Sequence, residues 1–135
     1  MKKLLLILLL FSLGIITLQA QTHKVTVTVY NPVPSQCSGS HLRTADGSMI
    51  DIEALERGEI RWCAVSRDML TRNGGDFKFG DRLEVISADE TISGIYEIHD
   101  TMNPRFSRHV DILMPERINT GKWTDVKIIK HLKTL

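Results

Sequence analysis

The chain predicts a mainly β fold, a compact six-stranded barrel with short helices, and three observations predict it. Apolar and polar residues alternate over short runs, as where Val25, Val27 and Val29 face away from Thr26, Thr28 and Tyr30. Turn-forming groups such as Asn73-Gly74-Gly75 punctuate those runs, and the helix-like stretches between them are brief. Past the first twenty residues roughly 115 remain, enough for one domain and not for two.

Met1-Lys2-Lys3 is a small positive region, Leu4 to Leu18 is almost wholly apolar, and Leu18-Gln19-Ala20 before Gln21 reads as a cleavage site. Residues 1–20 are therefore expected to be a signal peptide, and 21–135 an exported domain in the periplasm or outside the cell. A retained anchor is the alternative, but the apolar run is short for a bilayer, so no stable membrane insertion is expected after cleavage. No cysteine stands at the cut to carry a lipid. Without Lys2 and Lys3 the domain keeps 15 basic against 16 acidic residues, a formal charge of −1. No global field favours nucleic acid or an anionic membrane.

Lys24 to Tyr30 is the first strand, and Asn31-Pro32-Val33-Pro34-Ser35 forces an irregular loop after it. Asp51 to Arg57 places Ile52 and Leu55 on one side and stops at Gly58, which fits a short helix. Glu59 to Val65 is a second strand, and Ser66 to Leu70 a turn or one helical turn, stopped by Asn73-Gly74-Gly75. Phe79-Gly80-Asp81 marks a tight turn before the strand Arg82 to Ser87. Gly94 to Asp100 and His109 to Leu113 follow as strands. Pro115 to Asn119 is expected to be a short helix, and Thr124 to Leu132 a closing strand. Cys37 and Cys63 could pair in an exported protein, closing a loop of about 26 residues for about 3 kcal/mol, or remain separate thiols. Neither is flanked by a histidine motif that would make it a nucleophile.

Two strand phrases end in carboxylates framed by apolar residues, Ile98-His99-Asp100-Thr101 and His109-Val110-Asp111-Ile112. A carboxylate in that setting is costly unless paired or useful, and a raised pKa would make it a proton donor for glycoside cleavage. Strand alternation places His109 and Asp111 on one face. A regular preceding strand would put Asp100 on the face of Ile98, with His99 opposite. The bland readings are a turn cap for Asp100 and a structural carboxylate for Asp111, neutralised by Arg105 or Arg108. A metal set of His99, Asp100, His109 and Asp111 is a rival, made awkward by the opposed facing of His99 and Asp100. No metal or other cofactor is expected.

Taken in order, Val25 to Pro32, Thr44-Ala45-Asp46-Gly47, Ala64-Val65-Ser66, Phe79-Gly80-Asp81, His99-Asp100-Thr101-Met102 and Val110-Asp111-Ile112 resemble the 3D domain, named for three aspartates. The similarity spans about residues 25 to 131. That family is a double-psi β-barrel of bacterial cell-wall enzymes, including the membrane-bound lytic transglycosylase A group and muralytic stationary-phase proteins. The resemblance implies that Asp111 is the catalytic acid and Asp100 the second family aspartate. His109-Val110-Asp111 is also similar to the His-Phe-Asp phrase of expansins and related barrel glucanases. The first family aspartate usually follows Ala-Val, whereas Ser66 stands here and Asp68 lies two residues on.

The implied partner is the peptidoglycan glycan strand, and the implied activity is its cleavage as a lytic transglycosylase. That reaction needs one carboxyl, which protonates the glycosidic oxygen and then takes a proton from the substrate's own primary hydroxyl. A hydrolase needs a second carboxylate. Asp100 would raise the pKa of Asp111 or bind sugar. Thr28, Tyr30, Thr44, Asp68 and His109 are the expected substrate-binding residues. A non-catalytic glycan-binding module of expansin-like type is the alternative, and an interaction protein with an occupied groove is a third.

Overall fold

Seven elements carry the architecture: β1 (Thr22–Tyr30), α1 (Ile52–Glu56), β2 (Trp62–Val65), β3 (Arg82–Ile86), β4 (Gly94–Thr101), β5 (His109–Leu113) and β6 (Lys122–His131). They belong to a computed structural model that describes residues 21–37 and 39–133, so the predicted signal peptide lies outside the described residues. Among these residues no helix is long and apolar enough to cross a membrane.

The six strands close into a barrel in the order β1-β5-β2-β4-β3-β6. Two neighbouring pairs, β1 with β5 and β2 with β4, run parallel, and the other four pairs run antiparallel. Exchanging each strand for the one three places along the chain returns the same ring with the same orientations. The barrel is thus the six-stranded double-psi form, two interlocked halves without a repeat in their residues. Closure also leaves no sheet edge exposed.

Alternation along each strand sorts the core into two clusters. Val27, Val65, Leu83, Ile98, Val110, Ile112 and Ile128 point inward and are fully buried. Tyr30, Ile50, Leu55, Ala64, Met102 and Leu113 form a second cluster on the outer face, under α1 and the long loop after β1. Helix α1 forms where expected: the Asp51 carboxylate accepts from Ala54 N at 3.0 Å as an N-cap, and Gly58 stops the helix at φ 71°.

Two expectations are corrected. Pro115–Asn119 is no helix; it is a turn with one backbone bond from Ile118 N to Pro115 O. The buried Asn31 amide takes two carbonyls that a helix would have used, donating to Met114 O at 2.8 Å and Pro115 O at 3.1 Å, and it donates to Ile118 O as well at 3.0 Å. Cys37 and Cys63 are free thiols. Cys63 points into the barrel, whereas Cys37 packs against the outer cluster, so the wall of the barrel separates them.

Candidate active site

Register builds the site from four neighbouring strands. Thr28 on β1 pairs with Asp111 on β5, Asp111 pairs with Ala64 on β2, and Ala64 pairs with Asp100 on β4. Paired residues share a face, so these four form one row on the outside of the barrel. The two carboxylates flank Ala64, whose methyl group leaves the space between them open. Their Cα atoms stand two strand spacings apart, about 10 Å.

A bulge makes this row possible. Cys63 pairs with Ile98, yet the next residue, Ala64, pairs with Asp100, so His99 is the extra residue. The expectation that Asp100 would share a face with Ile98 is therefore wrong: the bulge turns Asp100 outward, beside Asp111. His99 is held apart from both, with its ring 4.2 Å from Trp62, Nδ1 2.6 Å from Asp46 Oδ2 and Nε2 2.9 Å from Glu97 Oε1.

Three of the row, Ala64, Asp100 and Asp111, form the floor of a groove of about 640 Å³, with Tyr30, Thr44 and Ala45 also among its lining residues. Burial pushes the Asp111 carboxyl up to about 6, against the opposing Thr28 hydrogen bond and with help from the charge of Asp100. Only its Oδ1 is engaged, accepting from Thr28 Oγ1 at 2.8 Å. Among the described residues Oδ2 has no hydrogen-bond partner, and no arginine pairs with Asp111.

Asp100 is held differently. Its Oδ1 accepts from Ala45 N and Thr101 N, both at 2.9 Å, and its Oδ2 from the Tyr30 hydroxyl at 3.2 Å. Burial still raises its pKa, and the nearby Asp46 adds to that against these three donors. Tyr30 itself is pushed well above the usual range by burial and then by Asp100, so it remains a donor. One carboxyl is clamped and the other has an oxygen to spare.

Behind Asp111 runs a short relay. His109 Nε2 lies 2.7 Å from Thr28 Oγ1, which donates its only proton to Asp111, so Nε2 carries a hydrogen and donates to the threonine. Burial and Lys122 hold His109 below its usual pKa, which fits this neutral tautomer. Ser66 sets the histidine in place: its Oγ accepts from His109 N at 3.0 Å, and its own N–H donates to His109 O at 2.9 Å.

The expected substrate-binding residues divide accordingly. Tyr30 and Thr44 line the groove, but Tyr30 is 8% exposed and offers its hydroxyl to Asp100 rather than a ring face. Thr44 spends its hydroxyl on Asp46 Oδ1 at 2.6 Å. Thr28 and His109 stand behind Asp111 and act through it.

Asp68 is displaced altogether. The turn after β2 carries it away from the groove, where Oδ2 accepts from Arg108 N at 3.1 Å and Ser107 Oγ at 3.2 Å. Burial opposes its ionisation, but bonds from Ser66, Arg108 and Ser107 win and hold its carboxyl low. Its work is to secure Arg108, which enters β5 in a left-handed conformation at φ 46°. Ala45 and Ala64 were missed as site residues because an alanine carries no chemical signal; their backbone and small size matter instead.

The electrostatic arrangement has a direct test in the carboxyl 13C titration of Asp111. Thr28→Val removes the donor that favours the ionised form and is expected to raise the Asp111 pKa. Asp100→Asn removes a neighbouring negative charge and is expected to lower it. Shifts in the same direction would refute the arrangement. No family model matches the chain, and no curated protein matches it in sequence.

Proposed function

We propose that the chain is an exported 3D-domain enzyme that cleaves peptidoglycan glycan strands by lytic transglycosylation, with Asp111 as both acid and base. One observation carries this reading: a mostly buried carboxyl with a pKa near 6 and an unengaged oxygen lies on the floor of an open groove. In the first half of the reaction Asp111 Oδ2 gives its proton to the glycosidic oxygen as the bond to the anomeric carbon breaks. The carboxylate so formed is stabilised by the Thr28 hydroxyl on Oδ1. It then removes the proton from the muramic acid's primary hydroxyl, whose oxygen closes onto the anomeric carbon and leaves an anhydro sugar.

Asp100 keeps its negative charge near the developing oxocarbenium ion and disfavours early ionisation of Asp111. Three donors already satisfy it, which supports a route that asks for no second proton-transferring carboxylate. The glycan-binding reading is favoured by Ser66, which is fully buried and supplies no carboxylate where the family carries its first aspartate. Mass spectrometry of fragments released from purified sacculi separates the readings. Anhydro-muropeptides are expected. Reducing-end products would mean hydrolysis, and sacculus binding without release would mean a binder.

A further inference from the structure

The groove holds charge that proton transfer at Asp111 does not use. Three arginines line it from three separate segments: Arg43 in the loop between β1 and α1, Arg67 in the turn after β2, and Arg105 in the loop between β4 and β5. All three are exposed, and none makes an ion pair with a carboxylate among the described residues. Elsewhere Arg57, Arg82 and Arg117 each have an acidic partner, while Arg61, Arg72 and Arg108 have none among the described residues, so it is the convergence of three such arginines on one groove that sets this group apart.

Two of the three are held in place by contacts that leave their charge uncompensated. Arg67 Nε donates to Met102 O at 3.1 Å, and the Arg105 guanidinium lies 4.8 Å from the centre of the Phe106 ring. The acidic residues of the lining are Asp100, already satisfied by its donors, and Asp111. A domain of formal charge −1 therefore presents a locally cationic mouth above an acidic floor.

We propose that Arg43, Arg67 and Arg105 form an anion subsite that takes a carboxylate carried by the saccharide, so that the groove selects acidic over neutral glycans. A guanidinium presents paired donors in a planar fork that matches a carboxylate. The inference rests on the proposed function only in placing a saccharide in the groove; it does not need cleavage.

Calorimetric binding to the Asp111→Asn protein tests it without turnover. The probes are a tetrasaccharide of alternating N-acetylglucosamine and N-acetylmuramic acid with free lactyl carboxylates, the same sugar with those carboxylates converted to amides, and chitotetraose. The acidic sugar is expected to bind about tenfold more tightly than its amide, as a charge-assisted contact warrants, and to lose that advantage as salt rises. Adding Arg43→Gln, Arg67→Gln and Arg105→Gln together is expected to abolish the preference while the neutral sugars bind as before. Three lysines in their place should restore part of it. Equal affinity for acid and amide, or an arginine variant that weakens all three sugars alike, would overturn the subsite. A retained preference, together with no anhydro product released from sacculi by the parent protein with Asp111 intact, would remove the lytic reading and leave the subsite standing.

Discussion

Asp111→Asn is expected to lower the release of anhydro-muropeptides by about 10³-fold, the scale of losing a general acid, while leaving the barrel folded. Asparagine has the same shape, and its Oδ1 can still accept from Thr28. The same change has an opposite effect on stability. Asp111 titrates near its reference value of 3.8 when unfolded and at about 6 when folded, because burial disfavours the charged form. Between those values the folded chain holds a proton that the unfolded chain has released, so stability falls as pH rises through about 6.

The resulting penalty is on the order of 2–3 kcal/mol above that pH and absent below about pH 4. Asp111→Asn should therefore be more stable than the parent by about that amount at about pH 8, and no more stable at about pH 4. Urea denaturation at the two pH values measures the difference. Retained cleavage would sink the assignment of the acid. An unchanged stability at alkaline pH would show that the carboxyl is not desolvated as described. The pH-rate profile supplies a further check, with activity falling as Asp111 loses its proton above about pH 6.

Asn31→Ala is expected to cost on the order of 3 kcal/mol, because it strands the carbonyls of Met114 and Ile118 and takes one of two donors from Pro115 O, which keeps its bond from Ile118 N. Gln36 Nε2 would lose its acceptor too, since it donates to Asn31 Oδ1 at 3.0 Å, while the backbone N of residue 31 still donates to Gln36 Oε1. In a domain of this size the melting temperature should fall by on the order of 10 °C. Asn31→Asp should fail similarly, because a carboxylate cannot donate. A loss below about 1 kcal/mol would mean that water replaces the amide without difficulty. Asn31 follows Tyr30 at the end of β1, and Met114 follows Leu113 at the end of β5, so the clamp fastens two strands of the site at their shared end.

Much of the barrel was legible because period-two alternation is a local property. Val25, Val27 and Val29 announce a strand without knowledge of its partner, and Asp51 and Gly58 mark the ends of α1 through their own backbone chemistry. The expected helix at Pro115–Asn119 failed for the complementary reason. Its carbonyls were claimed by Asn31, more than eighty residues earlier, and no local pattern records such a competitor.

The site shows the same division. His109 and Asp111 were placed on one face by alternation, and they are. Asp100 was placed on the wrong face, because a bulge at His99 exists only in the pairing of β4 with β2 and leaves no mark on β4 itself. Asp68 was drawn toward the groove by its distance along the chain from Ala64-Val65, while the turn of the backbone sends it to Arg108. The arginines had no common signal, since Arg43, Arg67 and Arg105 meet only when three loops converge on one mouth.

By itself the sequence determined the strands, the small outer helix, the absence of a strong net charge and the two carboxylates worth watching, all consequences of side-chain alternation and backbone preference within a few residues. Tertiary structure alone decided which strands are neighbours, that Asp100 faces Asp111 across Ala64, that three donors hold one carboxylate while the other keeps a free oxygen, and that burial lifts Asp111 toward neutrality. Those properties depend on register, desolvation and long-range hydrogen bonding, and they come into being only when distant segments close the barrel.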